Sequence, residues 1–192
     1  MRASGDSMPN HLMTERLRLR KLTLDDLDEV HYLHTLPQTD QYNTIGIPKN
    51  KAATQVLMQS WLTQQQTTPG RHFLWVIMDK STQAFIGLIA LNLREKRFQS
   101  GEVWYKLLPE HWKKGYATEA LNGILQWSFE ELHLHRIEAG CATENIASIR
   151  VLEKVGMQKE GRKRKVLPIR GKWVDNYEYA ILEEDWLNIH QR

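Results

Sequence analysis

Apolar and polar positions alternate through RLRLRKL (residues 16–22), the period of a strand with one buried face. The spacing turns helical at once in TLDDLDEVHYLH (residues 23–34). Thr23 can cap that helix, Asp26 can reciprocate three residues on, and the early acids suit the positive end of the dipole. A loop over residues 35–50 leads to a second helical stretch, about 52–66. HFLWVIMD (72–79) is short and apolar on both faces, which predicts a central strand. KSTQ turns the chain, and FIGLIALNL (85–93) returns it as a hairpin partner. GEVWYKLLP (101–109) is a third strand of this run; Val103, Tyr105 and Leu107 share one face, Glu102, Trp104 and Lys106 the other.

Helical spacing resumes over residues 116–132, followed by a strand, RIEAGC (136–141), and a helix beginning near Asn145 that Gly156 stops. YEYAILEE (177–184) reads as a late strand. Strands first, then strand–helix–strand–helix, predict a mixed α/β fold with helices on the faces of one sheet. No repeat, low-complexity tract or linker interrupts the order, so 192 residues read as a flexible leader (1–13) and a single domain (14–192).

A net charge of +3 is too small to argue for nucleic acid, which is not expected as a partner. The single cysteine, Cys141, excludes an internal disulfide and a cysteine-based zinc site, and fits a reducing compartment. The leader has no apolar run suited to a signal peptide, and no later stretch is long enough to span a bilayer; a cytoplasmic protein is expected.

Candidate chemistry centres on PEHWKKGYATEAL (109–121). A helix N-terminus exposes unpaired N–H groups and a positive dipole end, and Gly115 in front of it lets the backbone approach a ligand or adopt φ > 0. Lys113 and Lys114 add charge, so the stretch suits an anion such as a pyrophosphate. A plain strand-to-helix turn with solvated lysines explains the same residues. There is neither a GxxxxGK[ST] nor a GxGxxG motif, which removes the main support for nucleotide hydrolysis and dinucleotide binding. Thirty residues on, ENIASIRVLEKVGM (144–157) puts Asn145 and Ser148 at the mouth of a helix.

These segments, with TERLRLRKLTLDDLDEV at the front and GKWVDNYEYAIL near the end, resemble the GNAT superfamily of acyl-CoA N-acyltransferases, and within it the ribosomal-protein-alanine N-acetyltransferase branch. The resemblance runs from about residue 14 to 182. It implies a twisted, mostly antiparallel sheet opened into a V between its fourth and fifth strands, helices on both faces, and acetyl-CoA as co-substrate with no metal. Main-chain N–H groups of Lys113, Lys114, Gly115, Tyr116, Ala117 and Thr118 would hold the diphosphate. The superfamily's R/Q-x-x-G-x-G/A signature falls on Trp112, Gly115 and Ala117, with Trp in place of Arg or Gln. Asn145 would hydrogen-bond the pantetheine arm, and the backbone of YKLLP, with Leu107 and Leu108, would support an oxyanion. The implied reaction is direct attack by a primary amine in a ternary complex. A protein N-terminus of the ribosomal-protein type leads as acceptor; a small amine (polyamine or antibiotic) is the alternative. A homodimer is compatible with the resemblance.

Acetyl transfer to an amine needs a neutral amine, a stabilised oxyanion and a proton for the leaving thiolate. Glu102 is the candidate base, acting through water; an edge carboxylate paired with a nearby cation is the other reading. An α-amino group needs only about 1 kcal/mol to deprotonate at neutral pH against roughly 4.6 for a lysine-like amine, which slightly favours a protein N-terminus. The tyrosine that many superfamily members place seven residues after the asparagine is Leu152 here, so Ser148 is the proposed acid; a first-turn helix hydroxyl is its plain alternative. Cys141 reads as a buried strand-end thiol, His133 and His135 lack a third metal ligand, and RKRK (162–165) reads as a solvated strand face. Tyr177 and Tyr179 line an acceptor site or fill the core. A non-catalytic CoA-binding module and an RNA-binding protein built on the basic tract remain as other classes.

Overall fold

The computed structural model describes Pro9 and residues 11–190. Its strands are β1 (His11–Met13), β2 (Leu17–Lys21), β3 (His72–Asp79), β4 (Phe85–Leu93), β5 (Ser100–Leu107), β6 (Arg136–Ala142), β7 (Gln158–Ile169) and β8 (Lys172–Leu182). The helices are α1 (Leu27–Thr35), α2 (Pro37–Asp40), α3 (Lys51–Thr67), α4 (Tyr116–Glu130), α5 (Ile146–Lys154) and α6 (Glu183–His190). The strands form one sheet in the order β1-β2-β3-β4-β5-β6-β8-β7, antiparallel at every junction but β5–β6.

Both faces of the central strands are covered, which is why β3 and β4 are apolar on both sides. On one face Leu17, Leu19, Phe73, Trp75 and Ile77 pack against Ala120, Leu121, Ile124 and Leu125 of α4, with α5 and α6 alongside. Trp127 meets the rings of Phe73 and Trp75 edge-on at 5.0 and 5.5 Å. On the other face Leu74, Val76, Leu88 and Ala90 pack against Val30, Leu33 and Met58 of α1 and α3. The Asp26 carboxylate accepts from the Thr23 N–H at 2.8 Å, the reciprocal half of the expected cap, and also takes both arms of Arg20.

β5 and β6 run parallel over three residue pairs only, Ser100–Arg136, Gly101–Ile137 and Glu102–Glu138. Beyond Glu102 the two strands share no ladder and the sheet opens into a V. These are the fourth and fifth strands of the expected set, displaced by one because β1 precedes them.

Several elements differ from expectation: the strand face expected over 162–165 is part of β7, Gln158–Ile169, and the late strand expected from 177 begins at Lys172. His11–Met13, inside the expected leader, pairs with Arg18–Arg20 as an edge strand; the leader's other residues, apart from Pro9, lie outside the described residues. Part of the expected loop forms α2, which Pro37 opens at a position where a missing N–H is tolerated. Glu183 and Glu184 leave the last strand and start α6, where Glu183, Glu184 and Asp185 face the positive dipole end and Asp185 accepts from the Leu182 N–H at 3.1 Å. Among the described residues no helix is long and apolar enough to cross a membrane.

Candidate functional site

Gly115 is the N-cap of α4 with φ +83°, the left-handed region that glycine enters without strain, and Lys113 also has positive φ, +60°. The Trp112 N–H donates to Pro109 and the Glu119 N–H to Gly115; between them, among the described residues, no backbone N–H from Lys113 to Thr118 has a partner. Lys113 and Lys114 are exposed and form no ion pair among the described residues. Unsatisfied donors, a dipole end and two free cations on a turn without side-chain bulk fit a diphosphate.

The turn is braced by residues that sequence reasoning passed over. Arg16, at the mouth of β2, donates to the Glu119 carboxylate at 2.7 Å and to the Lys114 carbonyl at 3.0 Å, and its guanidinium lies 4.7 Å over the Tyr116 ring. Thr14 and the Arg16 N–H also donate to Glu119. Tyr116 donates in turn to Asp79 at 3.3 Å. A groove of about 650 Å³ passes this corner and follows α4, lined by Thr14, Arg16, Gly115, Thr118, Asn122 and Gly123.

Inside the V, the Leu108 N–H is committed to the Ile86 carbonyl at 2.9 Å, on the β4 side. Successive residues of a strand send their N–H groups to opposite edges, so the donors facing the V are Tyr105 and Leu107. Of the two leucines expected to contribute there, Leu107 faces the V and the Leu108 amide does not. The Leu107 carbonyl accepts from Trp112 Nε1 at 2.8 Å, the role found for the Trp of the motif. Across the V, Tyr105 Oη and Ser148 Oγ are 2.9 Å apart, and burial holds the Tyr105 phenol above its ordinary range. Asn145 caps α5, its Oδ1 accepting from the Ser148 N–H at 3.2 Å, and its side-chain NH₂ has no partner among the described residues. Leu152 is buried in the core. Burial pushes the Cys141 thiol up to about 11, which keeps it protonated and inert. Tyr179 is core, donating to Glu153 at 3.1 Å, and Tyr177 packs against the same core under Lys159.

The opposite face of β5 carries Glu102, Trp104 and Lys106. Glu102 is exposed and has no ion pair or hydrogen bond among the described residues. Its carboxyl is raised above the usual carboxylate range by partial desolvation, then by Glu138 beside it and Glu178 on β8, against opposing pulls from Arg94 and Lys163. Those two acids are neutralised: Glu138 by Arg94 and Arg136, Glu178 by Lys163 at 3.0 Å. Partial desolvation and nearby acids make a free carboxylate a better proton acceptor than an ordinary surface one.

Lys106 is buried at 9% exposure, and burial pushes its amine down to about 8 from 10.5, with Asp40 pulling back. Between those two values the unfolded chain holds a proton that the folded chain does not, so this group's contribution to stability rises with pH over that window and is unfavourable below it. Lys106→Met removes the burden, worth about 3 kcal/mol at neutral pH. The expected result is a higher melting temperature near pH 7 and a smaller gain near pH 10; an unchanged or lower melting temperature at pH 7 contradicts it.

Comparison with known proteins agrees with this geometry. Residues 16–158 match the family model for the acetyltransferase (GNAT) domain. The uncharacterized N-acetyltransferase YnaD of Bacillus subtilis (strain 168) is 33% identical over 92% of this chain and 99% of its own. The [ribosomal protein uS5]-alanine N-acetyltransferase of Escherichia coli (strain K12) is 28% identical over 61% of each chain. The crystal structure of spermidine N-acetyltransferase from Vibrio cholerae in complex with CoA and spermine superposes with a TM-score of 0.79, covers 90% of this chain and 99% of that one, and is 26% identical. With a matching family model over most of its length and an anion-ready turn beside an open V, this chain belongs to the GNAT acetyltransferase family.

Proposed function

We propose that the protein moves an acetyl group from acetyl-CoA to a primary amine in a ternary complex, with a protein N-terminal α-amine as the leading acceptor. The observation that carries this reading is the Glu102 carboxylate, unpaired among the described residues, at the point where the β5–β6 ladder ends. Acetyl-CoA supplies an activated acetyl thioester; the chain's own groups do the rest. The N–H groups from Lys113 to Thr118 hold the diphosphate, and the Asn145 NH₂ is free for the pantetheine amides. The Tyr105 and Leu107 amides face the acyl group. Glu102 takes the proton of the attacking amine, through water, and Ser148, hydrogen-bonded to Tyr105, delivers one to the departing sulfur. With no tyrosine at Leu152, the Tyr105–Ser148 pair is the hydroxyl relay that the V offers.

A second reading, a polyamine acceptor, draws on the exposed, unpaired Glu102 carboxylate and on the Vibrio cholerae relative. Thiol release from acetyl-CoA, followed with N-terminal peptides and with spermidine, separates the cases. Release with peptides above the rate of hydrolysis is the expected result. Faster release with spermidine favours the second reading. Saturable acetyl-CoA binding with no release across the panel identifies a non-catalytic CoA-binding module and overturns both.

A further inference from the structure

Lys106 Nζ, His34 Nε2 and Asp40 Oδ1 are buried and, among the described residues, have no hydrogen-bond partner. They come from β5, α1 and α2, so the fold gathers them from three elements. The residues are 9%, 1% and 4% exposed. Orphaned buried polar atoms are rare in folded proteins because each is destabilising, and three together call for a reason. His34 and Asp40 are six positions apart on the adjoining α1 and α2, and Lys106 leaves β5 on the same face as Trp104; the charges of Lys106 and Asp40 act in opposite directions on the His34 imidazole. The His34 ring lies 5.9 Å from Trp61, whose ring is 6.0 Å from that of Trp104, on the face of β5 that carries Glu102.

The valences specify a ligand. His34 Nδ1 is spent on the Val30 carbonyl at 2.9 Å, so it bears the proton and Nε2 offers only a lone pair. Asp40 Oδ1 likewise only accepts, its Oδ2 being taken by Arg170 at 3.0 Å. Lys106 only donates. A complementary group must accept on one side and donate on the other. A polyamine nitrogen cation brings donors alone and meets the charge of Lys106. A carboxylate brings acceptors alone and meets Asp40. An amide brings both and no charge. We propose that Lys106, His34 and Asp40 form a subsite that reads an amide group carried on the same molecule as the reacting amine. The subsite deepens the acceptor reading above and rests on it.

Arg170, at the β7–β8 turn, reaches across to Asp40 and donates to the Pro37 carbonyl at 2.6 Å. Its side chain is about half exposed while that of Asp40 is buried, so this contact is what pairs the Asp40 charge.

The test compares alaninamide with sec-butylamine, which lacks the amide, by thiol release from acetyl-CoA in wild type and Lys106→Met. The amines' own pKa values cancel when selectivity is compared between the two proteins. Hydrogen bonds to a charged donor predict that the variant loses at least about tenfold of the preference for alaninamide. Selectivity unchanged within about twofold shows that ordinary water satisfies these atoms and overturns the subsite. A second readout needs neither turnover nor a variant: the Lys106 side-chain resonances of the CoA-loaded protein shift on adding alaninamide and not on adding sec-butylamine. If thiol release is absent with every amine, the transferase reading falls, and this titration still decides the subsite, absence of a shift overturning it.

Discussion

Gly115→Trp is expected to lower the affinity for acetyl-CoA at least about a hundredfold. Two effects combine. Any side chain at φ +83° strains the backbone, so the turn relaxes and its N–H groups no longer converge. The indole then occupies the approach that the bare main chain left open. Each hydrogen bond to a charged oxygen is worth about 1.5–3 kcal/mol, so losing two or more accounts for the estimate. Gly115→Ala separates the contributions, because a Cβ there meets only Arg16 Nη2, at 3.3 Å. Calorimetric titration with acetyl-CoA measures both, with circular dichroism to confirm that the variants fold. Wild-type affinity in the Trp variant would show that the diphosphate is held elsewhere.

Glu102→Gln is expected to reduce kcat/KM by about 100- to 10,000-fold near pH 7, the usual worth of a positioned general base. The loss should shrink as pH rises toward the acceptor's own pKa, where the amine is already neutral. For wild type the sign is opposite: its rate falls as pH drops through the raised carboxyl pKa of Glu102, since the protonated acid cannot accept. The glutamine variant lacks that limb. A pH–rate profile of both proteins with one peptide acceptor checks the pair of statements, and parallel profiles would remove Glu102 from the base role. The residue is exposed and unpaired, so the variant's fold should be unaffected.

What was legible in the sequence was local. The apolar run of β3, the hairpin to β4 and the alternation along β5 were readable because two-residue periodicity and turn chemistry lie within a few positions of one another. The same holds for the Thr23–Asp26 cap and for the glycine in front of α4. What could not be read depends on pairs far apart in the chain. Arg16 and Glu119 are 103 positions apart, and nothing near either names the other. The crowding of Glu102 by Glu138 and Glu178 needs the registers of β6 and β8, which periodicity does not supply. The boundary of α6 was hidden because Glu183 and Glu184 continue a strand's pattern as well as they open a helix. The Leu108 amide is a different case: strand parity alone places it opposite Leu107, so the distinction was within reach.

The short β5–β6 ladder has a thermodynamic consequence. Five strands lie on one side of the V and three on the other, and three residue pairs join these two leaves along the backbone. Anything that fills the wedge touches both leaves and is bound by the intact pair alone, so it acts as a staple. Such a ligand adds about 2.7 kcal/mol to stability at a hundred times its dissociation constant. With acetyl-CoA bound in the V as proposed, the expected outcome is a higher melting temperature in its presence than in its absence.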